Sequence, residues 1–521
     1  MDLTVTSALV VVSLSILLVW RALLKAGSAS RRLPLPPGPK PLPLVGNALD
    51  VPSDLPWRTY AQWANTYGDI IYVNVFGQPM IVLNALEDVV ELLEKRSSNY
   101  SDRLQTEMIT LIGWNWSYTT MPYGQQWRQH RRGFHQYFNQ TAVRAYEPQM
   151  HESARKLLRR LYNEPEKFAE QIRYQFGANI VSVVYGIEIE EKDDKHIAVA
   201  EEAMYALAQG LIPGSFWVDF LPFLKYVPAW VPGAGFQRKA AEWRKSASTM
   251  KEMPWTNAIV TCLSTQKDGS VPSVAAGLSQ RIINVPGESH AEEEDVVKNI
   301  SAVAYAGGVD TTVSALHSFF LAMVLYPKVQ KRAQEELVRV VGPSRLPEFS
   351  DQSSLPYIEA VCKESMRWQP ATPLGVAHRC IADDEYKGYR IPKGTLLMQN
   401  TWAILHDPQQ YPDPEDFKPE RFLQNGVLNS SVRDPGVAAF GAGRRICPGR
   451  HFSDLVLFIN VACILHTFDI SHALDSEDRP IPVGPQMTSG VLSHPVPFRC
   501  SIEPKSSLAE SLILGQEGVK I

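Results

Sequence analysis

The run Phe440-Gly441-Ala442-Gly443-Arg444-Arg445-Ile446-Cys447-Pro448-Gly449 gathers glycine, arginine and one cysteine into ten residues. Gly441 and Gly443 let the backbone turn tightly and approach a flat partner more closely than a residue with a Cβ could. Cys447 stands just ahead of Pro448, which suits the first position of a helix. A helix amino terminus favours an anion, so the spacing predicts a cysteine held as thiolate and able to ligate a metal. Arg445 can pair with a carboxylate on a bound group. A glycine-rich loop that merely ends in a buried cysteine would share these residue types. Phe440, Gly443, Arg445, Cys447 and Gly449 together would nevertheless arise by chance in about one such chain in ten thousand or fewer.

Those five positions spell FxxGxRxCxG, which resembles the signature of the cytochromes P450, where the cysteine is the proximal ligand of haem b iron. The resemblance implies that Cys447 binds the iron with Phe440 and Arg445 beside it. A thiolate ligand pushes electron density that favours O–O cleavage, so the ligand type already implies oxygen chemistry.

Upstream, 296–325 is a helix candidate opened by Glu292, Glu293, Glu294 and Asp295 and stopped at Tyr326-Pro327. Its middle reads Ala306-Gly-Gly-Val-Asp-Thr-Thr312. Two glycines inside a helix cost roughly 1 kcal/mol each relative to alanine, and room for a ligand at Gly307 is one reason to keep them. Residues 307–311 match the family's [AG]Gx[DE]T, which implies that Asp310 and Thr311 relay protons to bound oxygen. A second membrane helix is the competing interpretation, and Asp310 near its centre makes it expensive. A plain core helix with a loosely packed glycine pair would also read this way.

Other motifs fall in the family's order. Glu364 and Arg367, three apart on a helix starting near Tyr357, share a face; such pairs abound on solvated helices. With Arg421 of Pro419-Glu420-Arg421-Phe422 they match the family's buried structural triad. Trp127 and Arg131, one helical turn apart, match WxxxR, whose side chains meet a haem propionate; His378 or Arg379 would serve the other, with Arg103 a weaker candidate. A lone Trp or Arg usually packs or lies on the surface, and only the shared register raises these. The resemblance runs from the Pro-rich segment to about Cys500 and is nearest to microsomal fungal, basidiomycete-like members. Phe452-Ser453 departs from the Leu-Ala common in relatives and bears on packing beneath the haem.

The 521 residues are 45% hydrophobic, enough for a substantial core. A net charge of -4 and the lack of any basic run leave no general field for nucleic acid. Cysteines 262, 362, 380, 447, 463 and 500 form no CxxC pair, poor material for a disulfide framework or zinc site, and fit a reducing compartment. Residues 3–20 carry no charge and 22–24 extend the apolar run to about bilayer length, so 1–24 is expected to be a transmembrane anchor. Asp2 precedes that run while Arg21, Lys25, Arg31 and Arg32 follow, which keeps the body cytosolic on the endoplasmic reticulum; a cleaved signal with unusual charge order is the alternative. The sequons at Asn99, Asn115, Asn139, Asn299 and Asn429 would then go unused.

Residues 25–47 are rich in proline and predict a stiff extended hinge that spaces the domain from the bilayer. Strands are expected at 70–75 and 80–83, then near 385–398 and 491–502, and amphipathic helices at 141–162, 192–211 and 237–253. The expected fold is mainly α with minor β: one large P450-like haem-binding catalytic domain, 48–503, behind the transmembrane helix and followed by a loose tail, 504–521.

The implied activity is a monooxygenase that inserts one atom of O2 into a lipophilic small molecule, a secondary metabolite such as a terpenoid. No dinucleotide fingerprint, flavin phosphate loop or iron–sulfur run is present, so electrons from NADPH would arrive through the flavins of a separate NADPH-cytochrome P450 reductase. Arg128, Arg132, Arg444 and Arg450 would suit its acidic surface, although a solvated face would look the same. Apolar stretches 108–116 and 212–230 stand where the family places substrate loops and a membrane-dipping entrance, and aromatic-rich loops also simply pack. A haem-thiolate isomerase or dehydratase that uses no O2, or a non-catalytic haem sensor, is the alternative; the Asp310-Thr311 pair disfavours both.

Overall fold

The computed structural model describes residues 33–212, 214–264, 273–283 and 289–515. The expected anchor, 1–24, lies outside the described residues.

The proline-rich segment is extended, as its missing N–H groups require, but it is fastened to the body and is no free spacer. Pro37 O accepts the N–H of Tyr72 at 2.8 Å, and Asn47 Oδ1 accepts that of Asn74 at 2.9 Å. Tyr72 and Asn74 belong to β1 (Ile70–Val75), which turns through Phe76-Gly77 into β2 (Gln78–Leu83). β2 starts two residues earlier than its apolar run suggested, and Pro79 sits inside it opposite Asn74.

Helices carry the core. Gly124 precedes α1 (Gln125–Phe138), which is followed by α2 (Glu147–Asn163), α3 (Phe168–Tyr185) and α4 (Lys195–Gly210), the last capped by the Asp194 carboxylate. α5 (Gly235–Ser264) runs through Pro254 well past the expected stop at 253. α6 (Ser289–Leu325) opens on an exposed acidic turn and is then apolar on nearly every face, the signature of a buried helix, and packs along α3. It is the one helix among the described residues long and apolar enough to span a bilayer, yet 78% of its most apolar window is buried inside the protein. That burial answers the membrane-helix alternative. Asn299, one of the sequons, is buried on it against His130 Nε2.

After α7 (Pro356–Trp368) come β3 (His378–Arg379) and β4 (Leu396–Gln399). The main sheet runs β1-β2-β4-β3, with β4 parallel to β2 in the register Met80 to Leu396. α8 (Arg450–Thr467) passes beneath α6 into β5 (Phe468–His472), which pairs with β6 (Cys500–Pro504). Residues 491–499 form no strand, unlike the expectation for 491–502. The loose tail expected at 504–521 is corrected over 504–515, and 516–521 lie outside the described residues: Ser507–Leu514 is a helix, α9, whose Ala509, Leu512 and Ile513 are buried against α2 and α8. Its apolar i, i+3, i+4 spacing supplies the face.

Glu364, Arg367 and Arg421 fasten α7 to the segment that leads into the cysteine loop. Glu364 Oε2 meets Arg367 Nε at 2.7 Å, and Oε1 meets Arg421 Nε at 3.1 Å and the Lys418 N–H at 2.7 Å. The carbonyls of Leu405, Pro414 and Asp416 take the remaining Arg367 donors. Every charge here is buried and satisfied, so removing one partner strands the others. Glu364→Ala is expected to cost about 3–5 kcal/mol of stability, read from the urea midpoint.

Candidate functional site

Cys447 sits in the loop that leads into α8. A 3-10 turn at Gly443–Arg445 precedes it, and the Cys447 N–H closes the loop on Phe440 O at 2.8 Å. The helix amino terminus expected at Pro448 is displaced: α8 starts at Arg450 with Gly449 as its cap. Burial pushes the Cys447 thiol up, while the Gly449 amide and the Arg131 charge pull the other way without winning. The protein alone therefore favours the thiol, and a metal bond is what would hold it as thiolate. Gly443 is obligatory, since at φ +62° its Cβ would lie 1.9 Å from Leu93 O.

Around this loop one buried and two half-buried cations gather with no carboxylate bonded to them; Asp102 acts on Arg103 and Arg445 only through space. Arg445 donates to the carbonyls of Ser101 at 2.8 Å, Tyr118 at 3.1 Å and Met121 at 2.7 Å, and its guanidinium lies 4.5 Å from the Trp127 ring centroid. Arg131 Nη2 donates to Ile446 O at 2.5 Å. Arg103 donates to Val376 O and Ala377 O, and its Nε is buried with no hydrogen-bond partner. Burial lowers Arg103 to about 9, helped by the Arg445 charge, and Arg445 to about 10. None of the three makes an ion pair among the described residues. Three desolvated guanidiniums spending their donors on carbonyls are short of anionic partners.

His378 belongs to the same group but not as a cation. Its Nδ1 donates to Tyr100 O at 2.7 Å, and burial, then the Arg103 charge, holds it well below the usual imidazole range. Arg379 turns the other way, partly exposed, with Nη1 3.9 Å from Asp102. Of the candidates for a second carboxylate, Arg103, the weaker one by sequence, is thus the cation placed inside. Its signal was slight, one arginine in a loop, and only burial sets it apart.

α6 carries Gly307, Asp310 and Thr311. A Cβ on Gly307 would meet nothing within 4 Å, so this glycine borders open space; one on Gly308 would meet Ile180 at 2.7 Å, which makes it a packing glycine. Thr311 Oγ1 donates back to Gly307 O at 2.9 Å. Asp310 is bonded by Arg173 and lies 3.5 Å from His494 Nε2, two partners that no motif announced. Burial would push the Asp310 carboxyl up, but the His494 contact and the Arg173 charge outweigh it and hold the group at about 2.

This donor set fits haem: a cysteine sulfur, open space beside Gly307 on α6, and guanidiniums not bonded to carboxylates that could take two propionates. Phe452, the departure from Leu, is buried against Phe138 and Tyr146 at ring distances of 5.8 Å and 6.5 Å. Of the proposed substrate stretches, Met108, Ile109, Ile112 and Trp114 are buried packing, whereas Trp217 and Trp230 are 63% and 80% exposed.

Known proteins give a consistent picture. The family model described as Cytochrome P450 matches residues 36–502. Cytochrome P450 monooxygenase COX1 of Coprinopsis cinerea is 41% identical over 94% of this chain and 95% of its own length. Cytochrome P450 monooxygenase COX2 of the same fungus is 42% identical over 92% and 90%. Tryptamine 4-monooxygenase of Psilocybe cyanescens is 41% identical over 91% and 94%.

Two outcomes are expected from substitutions here. Gly443→Ala fails to fold or to retain pigment, while Gly307→Ala folds normally, as circular dichroism melts will show. Because the Asp310 value lies below that of an unfolded aspartate, about 3.9, its contribution is complete above that pH and lost as pH falls toward 2. Asp310→Asn should therefore melt lower than wild type at pH 6, with the gap narrowing toward pH 2.

Proposed function

This chain belongs to the cytochrome P450 family and is a monooxygenase with a haem-thiolate iron cofactor that acts on O2 and an organic substrate; from that premise we propose that Cys447 is the thiolate ligand, that Asp310 and Thr311 move protons, and that the substrate is a lipophilic secondary metabolite such as a terpenoid. The observation that carries the site assignment is the cluster of guanidiniums around the Cys447 loop, one buried and two half-buried, none of them bonded to a carboxylate among the described residues.

In this reading Arg103, Arg131 and Arg445 bind the propionates, and Trp127 covers the Arg445 guanidinium from one side. Bound there, haem supplies the activation of O2, one atom of which enters the substrate while two electrons and two protons convert the other to water. Gly307 leaves room on the distal side. The Thr311 hydroxyl, resting on Gly307 O, can turn to present its proton, and Asp310 replenishes it.

The relative named for tryptamine acts on an amine. In this chain the Asp310 carboxylate is already ion-paired with Arg173, which favours an uncharged substrate over an ammonium. Electrons are proposed to come from a separate flavoprotein reductase that draws on NADPH. The exposed Arg128 and Arg444, both stacked on Tyr123, and exposed Arg132 offer the positive surface it would need.

An endoplasmic reticulum location, with residues 1–24 spanning the membrane and the body cytosolic, is proposed from the apolar amino terminus. The exposed Trp217, Phe223, Tyr226 and Trp230 support it, because Phe76 packs on Trp217 and Phe220 at 5.3 Å and 4.9 Å and so joins this patch to the face bearing exposed Leu44.

Carbon monoxide added to the reduced protein should give the red-shifted Soret band of thiolate-ligated haem, and Cys447→Ser should abolish it. Folded, pigmented wild type without that band would overturn the assignment. Thr311→Ala is expected to divert NADPH electrons to hydrogen peroxide; a product rate and peroxide yield equal to wild type would remove Thr311 from the relay.

A further inference from the structure

Residues 214–233 form a strap that carries only the short turns Trp217–Asp219 and Pro222–Tyr226. Gly214 and Gly233 close it at either end in the left-handed region, at φ +86° and +89°, and a Cβ on either would meet nothing within 4 Å. Both ends are therefore free to swivel. The two edges of the strap are fastened in different ways.

One edge is polar. Asp219 Oδ1 accepts the Met108 N–H at 2.8 Å at the amino end of the helix Glu107–Leu111, and Lys225 Nζ lies 3.0 Å from Glu107. At the other end of that helix Arg244, on α5, donates to Leu111 O at 2.8 Å and to Thr110 O at 3.2 Å. An anion at the amino end and a cation at the carboxyl end both match the helix charge, so Glu107–Leu111 is tied to the strap and to α5. Ile109 and Ile112 are buried, and a Cβ on Gly210 of α4 would meet them at 3.4 Å and 2.9 Å.

The other edge is aromatic. Phe76 packs on Trp217 and Phe220, and among the described residues no hydrogen bond or ion pair joins 214–233 to 33–103. Phe76 itself stands at φ +49°, a strained conformation for a bulky side chain and of the kind found at clamps and switches. Phe76 and Phe220 pack against the same apolar cluster as Leu104, Leu374 and Ala377, and Ala377 O is an acceptor of Arg103. This edge thus borders the proposed haem cradle.

A lipophilic molecule that parts the rings exchanges one apolar contact for another, whereas one that parts Asp219 from Met108 strands a carboxylate against an apolar surface. We propose that the strap and the helix Glu107–Leu111 swing as one lid, that Phe76 is its clasp, and that lipophilic molecules enter between the Phe76 turn and the strap while the Asp219 edge stays shut. The proposal rests on the reading of this chain as a haem enzyme acting on lipophilic molecules.

The test uses the full-length haem-loaded chain and two nitrogen bases that ligate haem iron and shift its Soret band, small polar imidazole and bulky apolar clotrimazole. In stopped flow, Phe76→Ala should speed clotrimazole binding about two- to tenfold, the worth of an aromatic pair, and leave imidazole binding unchanged. Trp217→Ala cuts the clasp from the strap side and should do the same, which keeps the test open if Phe76→Ala does not fold. Asp219→Asn should leave the clotrimazole rate at the wild-type value.

Hydrogen exchange gives a readout that needs no haem. The clasp variants should speed exchange together at 107–112 and 216–227 and leave 70–83 unchanged, while Asp219→Asn should speed it at 107–112 alone. Wild type without the red-shifted carbon monoxide band, or binding imidazole but not clotrimazole, overturns the functional reading, and the exchange pattern still decides the lid. Clotrimazole binding accelerated by Asp219→Asn as much as by Phe76→Ala, both bases accelerated alike, neither accelerated in the clasp variants, or exchange raised there in only one of the two segments would each overturn the proposal.

Discussion

Positive charge that the protein does not neutralise governs the architecture around Cys447. Arg103, Arg131 and Arg445 come from three separate parts of the sequence and are drawn out of water together with main-chain carbonyls as their acceptors. Carbonyl dipoles soften but do not cancel a buried cation, so this arrangement is costly unless an anion completes it. The contrast with Glu364, Arg367 and Arg421 is instructive. There, a comparable burial of charge is closed internally, with bidentate geometry and every donor used, and the result is a rigid strut. One cluster is finished by the chain and serves the fold; the other awaits a bound group and serves chemistry.

The same division runs through the distal side. Gly307 and Gly308 are neighbours in sequence but have opposite duties, one bordering open space and the other fitted against Ile180. Asp310 and Thr311 are adjacent too, yet Thr311 bonds its own helix while Asp310 is tied outward to Arg173 on α3 and to His494 in a late loop. Helical periodicity separates these roles by about 100° per residue, so neighbours along the chain face different partners.

What could be read in the amino-acid order was whatever is local. The Cys447 loop, the Glu364–Arg367 pair, the turn between β1 and β2 and the long apolar α6 all declare themselves within a few residues. What could not be read depends on where the chain returns to itself. Pro448 suggested a helix start because proline suits that position, but the chain needs two more residues to leave the tight turn, and α8 begins at Arg450. Arg379 and Arg103 look alike in a sequence; Arg379 on β3 stays partly exposed, 3.9 Å from Asp102, while Arg103 is inside. α9 was missed because eight residues make too short a periodic run to stand out, although their buried face docks firmly. His494 has no motif at all; it meets Asp310 because its segment returns to α6, where the Ser314 hydroxyl donates to Ser493 O.

The parallel pairing of β2 with β4 has a kinetic corollary. Met80 and Leu396 must meet across most of the polypeptide, and no local turn brings them together. Loop-closure entropy opposes such an encounter until both segments exist and the intervening helices have condensed, which makes the sheet a late event on the folding route. Arg103, Val376 and Ala377 come together beside that sheet, so the cradle for an anionic group is completed at the same late stage. Early intermediates would therefore be helical, without pigment, and unable to retain a cofactor until the last crossover has closed.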